Sequence, residues 1–331
     1  MKVGIFYNTI DQPWGGINTF FRNFIQHAKK DKAVEIVSDL SEADLILTAG
    51  HYQGPGKLIN SVHLRNISNS RSLKNPLGLF PFTGTKKIVF RIDGLRLDYD
   101  GKISDTDNLL INNLSYASGV VFQSKYSKNR FEDLNGQFSY ETDIVHNGAD
   151  SLLFFPSVEV AKFADGVRLI SNSWSINENK GFRTIAAFSE LENVFVSHIG
   201  RWPSEISSNV VCMLGEMSQK EIAVELRKHH FLLFPSEDEA CSNTVTEALS
   251  SGLPVLYHPS GGTIEQCRYE TFGVQLPICS SGFNNAILEN IICTAIEHYS
   301  RLRNNVLKNI DVFSFSFCYD NYIRYFSKVL S

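Results

Sequence analysis

At 331 residues the chain is too long for a single hydrophobic core, so two domains are expected. A content of 43% hydrophobic and 20% charged residues is that of a folded globular protein and excludes a disordered or low-complexity chain. The net charge of -4 argues against a general nucleic-acid binder, and no apolar run is long enough to cross a bilayer.

The first half alternates strand and helix signals. Val3 to Tyr7, Val34 to Ser38, Leu45 to Thr48, Ile88 to Ile92, Val120 to Gln123 and Ile144 to His146 read as strands, which predicts a parallel, doubly wound sheet. Met1 to Tyr7 is too short an apolar stretch for a signal peptide and leads directly into a strand, so a cytoplasmic location is expected. After that strand, Gly15-Gly16 opens a segment in which Ile17, Phe20, Phe21, Phe24 and Ile25 follow helical spacing. A glycine turn at a helix start lets the backbone pass close to a ligand. Farther on, Ile88 to Phe90 runs into Arg91-Ile92-Asp93-Gly94, a strand end followed by a turn.

Charge is segregated within this half. Leu45 to Ile92 contains no Asp or Glu, whereas Lys57, Arg65, Arg71, Lys74, Lys86, Lys87 and Arg91 contribute seven positive charges. The same segment holds the apolar run Leu77 to Phe82. Bases beside exposed apolar residues suit an anionic partner or an anionic membrane surface, where each contributes about 1 kcal/mol. Peripheral membrane contact through residues 57–91 is therefore expected.

Asn147-Gly148-Ala149-Asp150, followed by Phe154-Phe155-Pro156, is a turn-rich exit that places the domain switch after residue 155. The second half repeats the strand pattern at Arg168 to Ser171, Val194 to His198, Val210 to Leu214, Phe231 to Phe234 and Pro254 to Tyr257. The expected architecture is α/β, with two Rossmann-like domains of parallel sheet, residues 1–155 and 156–312, facing across a cleft. An aromatic-rich, helix-like segment closes the chain at 313–331. All six cysteines lie in the second half without paired metal-type spacing and read as reduced thiols. Neither a metal site nor a cofactor is expected.

The most informative stretch runs from Phe231 to Tyr257. Two apolar strand signals flank a helix signal over Asn243 to Ser251, with Ser242 as N-cap, Gly252 at the left-handed C-terminal position and Pro254 beyond the stop. In open α/β sheets ligands collect beyond the carboxyl ends of the strands, where the loop Glu237 to Ser242 falls. The first free amides of the helix, from Asn243 and Thr244, suit a diphosphate. Glu239 at the loop tip and Glu247 a turn into the helix are placed to accept hydrogen bonds from hydroxyls. The ligand this implies is part phosphate and part polyol.

Two glutamates with seven residues between them, the second followed by Ala-Leu-x-x-Gly-x-Pro-Val, resemble the donor-site signature of family 4 retaining glycosyltransferases. The resemblance implies the GT-B fold, with the terminal helix packing back on the first domain. It also implies that Glu239 contacts the transferred sugar, that the amides of Ala240, Cys241 and Ser242 approach sugar and phosphate, and that Glu247 holds the ribose hydroxyls. Lys180-Gly181 is similar to the family's phosphate-neutralising lysine. Leu214 and Gly215, before the capping box Ser218 to Glu221, fall where the family carries the nucleobase; Gly15-Gly16 falls at its glycine-rich donor or acceptor edge. Asp93 takes the place of a polar residue near the acceptor hydroxyl, and His146 opens a His-Asn-Gly hinge.

One family feature is missing. An arginine that precedes the lysine by about five residues has no counterpart in Trp174 to Asn179. Phosphate neutralisation then rests on Lys180 with helix N-termini, or is shared with Arg201, or donor binding is weak. The implied activity is metal-independent retaining transfer of a sugar from a UDP- or GDP-sugar to a hydroxyl of a glycan or lipid-linked acceptor, as in polysaccharide biosynthesis. The catalytic residues it implies are Glu239, Asp93 and Lys180. A sugar-nucleotide epimerase of the same fold and a non-catalytic nucleotide-sugar-binding module are the competing readings.

Overall fold

The computed structural model describes residues 1–11, 15–68, 86–136, 138–159, 162–207, 209–277 and 284–331. Arg71, Lys74, the apolar run Leu77 to Phe82 and Cys279 lie outside the described residues. The chain divides into two compact units, Met1–His146 with Cys318–Ser331, and Asn147–Phe317.

The first unit is built on a six-stranded parallel sheet. Its strands are β1 (Lys2–Phe6), β2 (Glu35–Val37), β3 (Leu45–Thr48), β6 (Lys87–Ile92), β7 (Gly119–Phe122) and β8 (Glu141–Ile144), in the order β2-β1-β3-β6-β7-β8. β3 and β7 are buried at every position, as expected of apolar strands covered by helices on both faces. Those helices are α1 (Gly15–Ala28), α2 (Ser61–Ser68), α3 (Leu97–Asp100), α4 (Asp105–Asn113) and α5 (Lys125–Asn135). A short antiparallel hairpin, β4 (Tyr52–Gly54) with β5 (Lys57–Leu58), was not expected from the sequence. Its strands are too short and too polar to carry a pattern, and only the Gly-Pro-Gly turn between them marks it. The last strand begins earlier than predicted because it is a polar edge strand, exposed at alternate residues, without an apolar run.

The second unit has its own six-stranded parallel sheet: β9 (Val167–Ser173), β10 (Val194–Gly200), β11 (Cys212–Gly215), β12 (Phe231–Phe234), β13 (Val255–Tyr257) and β14 (Gly273–Gln275). The order is β11-β10-β9-β12-β13-β14. β14 went unpredicted because three residues give no periodicity. The helices are α6 (Phe182–Ser189), α7 (Gln219–Leu226), α8 (Asn243–Ser250), α9 (Thr263–Gln266) and α10 (Asn285–Lys308). In α10 the buried residues Leu288, Ile291, Ile292, Ala295, Tyr299, Leu302 and Val306 recur every three or four positions, and Asn284 caps its start by accepting from the Ile287 amide at 2.9 Å.

The division between units falls at 146/147, ahead of the expected 155/156. Asn147 is bonded into the second unit, where its side-chain amide donates to Cys241 O at 3.0 Å and to Asn243 Oδ1 at 2.8 Å. Ala149 likewise exchanges backbone bonds with Phe313 and Phe315, at 2.8 and 2.7 Å. The final helix, α11 (Phe315–Leu330), belongs to the first unit from Cys318 onward. There Tyr319 packs on Phe24 with ring centroids 5.1 Å apart, Tyr322 packs on Phe20 at 5.0 Å, and the Tyr325 hydroxyl donates to Glu141 O at 2.6 Å.

Candidate functional site

In the second sheet the chain runs outward from β9 to β10 and β11, then returns to the other side of β9 as β12. The loops leaving β9 and β12 therefore part at the point where strand order reverses, the place where doubly wound sheets bind ligands. Lys180 lies on the first loop and Glu239 on the second. The Lys180 ammonium is ion-paired with Glu239 Oε1, and the two side chains are only 17% and 12% exposed.

The loops are also joined through their backbones, the Glu237 amide donating to Asn179 O at 2.8 Å. Asp238 takes a left-handed φ of 56°, and its amide donates to Ser260 Oγ at 2.9 Å. Such a conformation in a non-glycine residue persists only where its surroundings impose it. Here it turns Glu239 toward the lysine.

Ser242 occupies the N-cap of α8, yet its hydroxyl makes no capping bond. Its amide donates instead to Gln266 Oε1 at 2.9 Å, and its carbonyl accepts from Gln266 Nε2 at 2.9 Å. The Ser242 amide is thus committed to α9, and the open donors are those of Asn243 and Thr244, which have no protein partner among the described residues. Ala240 and Cys241 are buried beside this helix start.

Glu247 is 8% exposed, and its carboxyl group has no hydrogen-bond partner among the described residues. Burial raises its pKa from 4.5 to about 8. A buried carboxyl group of this kind is poised to gain from any donor that reaches it. Leu214 and Gly215 end β11, while Arg201 follows β10; both positions stand on the same carboxyl edge of the sheet.

Gly15, Gly16 and Asp93 belong to the first unit. Gly15 opens α1 with a left-handed φ of 62°, and Asn18 clamps the preceding loop through bonds of 3.0 and 2.9 Å with the backbone of Ile10. Asp93 follows β6 and is ion-paired with Arg91, whose side chain is 1% exposed and lies 4.2 Å from the centroid of the Phe20 ring. Gln123 also donates to Asp93 Oδ1. This carboxylate is engaged in holding a buried cation, a role that sequence reading had not weighed for it.

Four further residues escaped the sequence reading. Asn147 and Gln266 orient the loop Glu237 to Ser242 and the start of α8, but each contact spans a distance in the chain that no local pattern signals. His51 ends the loop after β3, at the reversal point of the first sheet, and burial pulls its pKa down to about 4. The neutral imidazole offers one donor and one acceptor. Trp174, half exposed after β9, lies under the Arg201 guanidinium with the carbon 4.7 Å from the ring centroid.

Solved structures of similar fold complete the description. HepE from Anabaena, in complex with UDP, has a TM-score of 0.70 at 16% identity over 99% of this chain and 100% of that one. The chain has the GT-B fold. Sucrose-phosphate synthase from Thermosynechococcus elongatus gives a TM-score of 0.68 at 13% identity, covering 99% of this chain and 98% of that one. AviGT4, a glycosyltransferase of avilamycin A biosynthesis, gives 0.61 at 12% identity over 99% and 98%. No family model and no curated protein matches the sequence. Among the described residues no helix of this GT-B chain is long and apolar enough to cross a membrane.

Proposed function

We propose that the chain is a retaining, metal-independent glycosyltransferase of the family 4 type, moving a sugar from a UDP- or GDP-sugar to an acceptor hydroxyl of a glycan or lipid-linked glycan. The observation that carries this reading is the meeting of Lys180 and Glu239 at the reversal point of the second sheet, beside the open amides of α8 and the buried Glu247. A cation and a helix N-terminus suit a diphosphate, and the carboxyl groups of Glu239 and Glu247 suit sugar and ribose hydroxyls. Solved structures of HepE with UDP and with UDP-glucose, in the same fold, support the donor class.

In the proposed reaction the bond from the anomeric carbon to the diphosphate oxygen breaks and the bond to the acceptor oxygen forms on the same face. The acceptor proton passes to the leaving phosphate oxygen. Lys180 and the start of α8 stabilise the charge that develops on the leaving group, so no divalent ion is required. Glu239 positions the sugar without attacking it.

The acceptor is proposed to be anionic or presented at an anionic membrane by a cytoplasmic, peripherally bound protein. Among the described residues, exposed Lys57 and Arg65 accompany Leu58 and Val62, which are 47% and 61% exposed. The experiment is nucleotide release from a panel of UDP- and GDP-sugars, with and without EDTA and candidate acceptors. Acceptor-stimulated release that survives EDTA supports transfer. Binding without turnover would leave a binding module, and turnover that requires manganese would overturn the metal-free mechanism.

A further inference from the structure

A nucleoside diphosphate brings several negative charges, and at the reversal point Lys180 already faces the carboxylate of Glu239. The neighbouring strand supplies another cation. Arg201 follows β10 directly. Its amide donates to Ser173 O at 3.0 Å, and Gly200, with φ 100°, brings the two strand ends so close that a Cβ there would collide with that carbonyl. His198 Nε2 lies 2.9 Å from Arg201 O.

The side chain, although 54% exposed, is contacted from two sides. Arg201 Nε donates to Glu216 Oε1 at 2.9 Å, and the guanidinium lies over the Trp174 indole at 4.7 Å. One nitrogen and one face are thereby occupied, while neither terminal nitrogen has a protein partner among the described residues. Glu216, Arg201, Trp174, Lys180 and Glu239 follow β11, β10, β9, β9 and β12, which are adjacent in the sheet. With strands about 4.8 Å apart, the row spans roughly 14 Å of the carboxyl edge. The arrangement is costly in freedom for a surface arginine, since it fixes a long side chain at one angle.

We propose that Trp174 and Arg201 form a preset phosphate clamp, in which the indole and Glu216 hold the guanidinium so that its two terminal amino groups bind the donor diphosphate. The clamp rests on the nucleotide-sugar reading given above. It supplies from β10 the second positive charge that the loop between β9 and Lys180 does not carry. Arg201 is the binding residue; Trp174 acts through it and is a positioning residue. A planar, permanently charged fork fits phosphate oxygens in a way that an ammonium does not.

The test is calorimetric affinity for UDP, GDP, uridine and guanosine in the full chain carrying Arg201→Ala, Arg201→Lys, Trp174→Ala, Trp174→Phe and the Arg201→Ala/Trp174→Ala pair. The expected result is a loss of about tenfold or more in affinity for the bound diphosphate in Arg201→Ala, with nucleoside affinity unchanged. Trp174→Ala should show most of the same loss, Trp174→Phe should recover it, and the pair should be no weaker than Arg201→Ala alone, because both changes remove one unit. Arg201→Lys should fall between, and it guards against misfolding of the alanine variant. Unchanged diphosphate affinity in Arg201→Ala, equal losses for diphosphate and nucleoside, or additive losses in the pair would each overturn the clamp while leaving the nucleotide site intact. Failure of the wild-type chain to bind either UDP or GDP would overturn both.

Discussion

Lys180 and Glu239, 59 positions apart in the chain, are ion-paired with each other. The two groups assigned to a phosphate and a sugar hydroxyl in the proposed function therefore neutralise one another, and the proposed donor would part them.

Glu239→Gln should separate these roles. Without the carboxylate the ammonium is released to the diphosphate, so affinity for free UDP or GDP is expected to rise by roughly fivefold, corresponding to about 1 kcal/mol. Sugar transfer should fall at the same time, because the amide no longer accepts as strongly from the sugar. Calorimetry and single-turnover transfer measured on the same preparation test the pair of effects; a fall in nucleotide affinity would contradict it.

Glu247 predicts a pH dependence of stability. Its folded pKa of about 8 lies above the unfolded value of 4.5, so between these values the native state holds a proton that the unfolded state has released. Stability contributed by this residue is complete below pH 4.5 and declines as pH rises toward 8. Glu247→Gln removes that decline. The variant should be more stable than the wild type by an amount that grows from pH 5 to pH 8, on the order of a few kcal/mol at the upper end, while losing nucleoside diphosphate affinity. Urea denaturation at three pH values in that window checks the trend, and a constant difference would refute it.

Asp93→Asn distinguishes an anchor from a catalytic group. Arg91 is buried and would lose its charge partner, which should cost about 3 kcal/mol, the lower end of the range for breaking a buried pair because the Asp93 side chain is itself 27% exposed. Replacing Arg91 and Asp93 together by Met and Leu should return much of that stability. If Asp93→Asn abolished transfer with no change in melting temperature, the acceptor-side role would stand in place of the anchor.

Gly181→Ala should strike both fold and site. The residue has a left-handed φ of 69°, and a Cβ there would lie 2.7 Å from Pro235 O and 2.8 Å from the Pro235 ring. The strain should cost about 1–3 kcal/mol and displace the neighbouring Lys180, so diphosphate affinity should fall beyond what the stability loss explains. Comparison with Lys180→Ala shows whether the two share one cause; full affinity in Gly181→Ala would break the link.

Much of this was legible from residue order. The buried strands β9 and β12 and the crossover through α8 followed from unbroken apolar runs and from Gly252 and Pro254 at the helix stop. These signals survive because local periodicity and tertiary placement agree. The hairpin Tyr52–Leu58 and the edge strand Gly273–Gln275 are defined by their neighbours, and so left no pattern. At the site, spacing marked Glu239 and Glu247, and the family resemblance marked Lys180. It did not reveal that Gln266 takes the Ser242 amide, that Arg91 lies buried beneath Asp93, or that Trp174 carries Arg201. The first and last are long-range contacts whose partners are chosen by the packed sheet, and the burial of Arg91 likewise depends on what packs over it.

The return of α11 to the first unit bears on how the protein is made. Phe20 and Phe24 of α1 leave the ribosome long before Tyr319 and Tyr322, which cover them. Vectorial folding ordinarily completes the amino-terminal module first. Here the carboxyl-terminal module is finished sooner, and the nascent amino-terminal sheet must wait with an uncovered aromatic face, a stage at which a chaperone has something to hold.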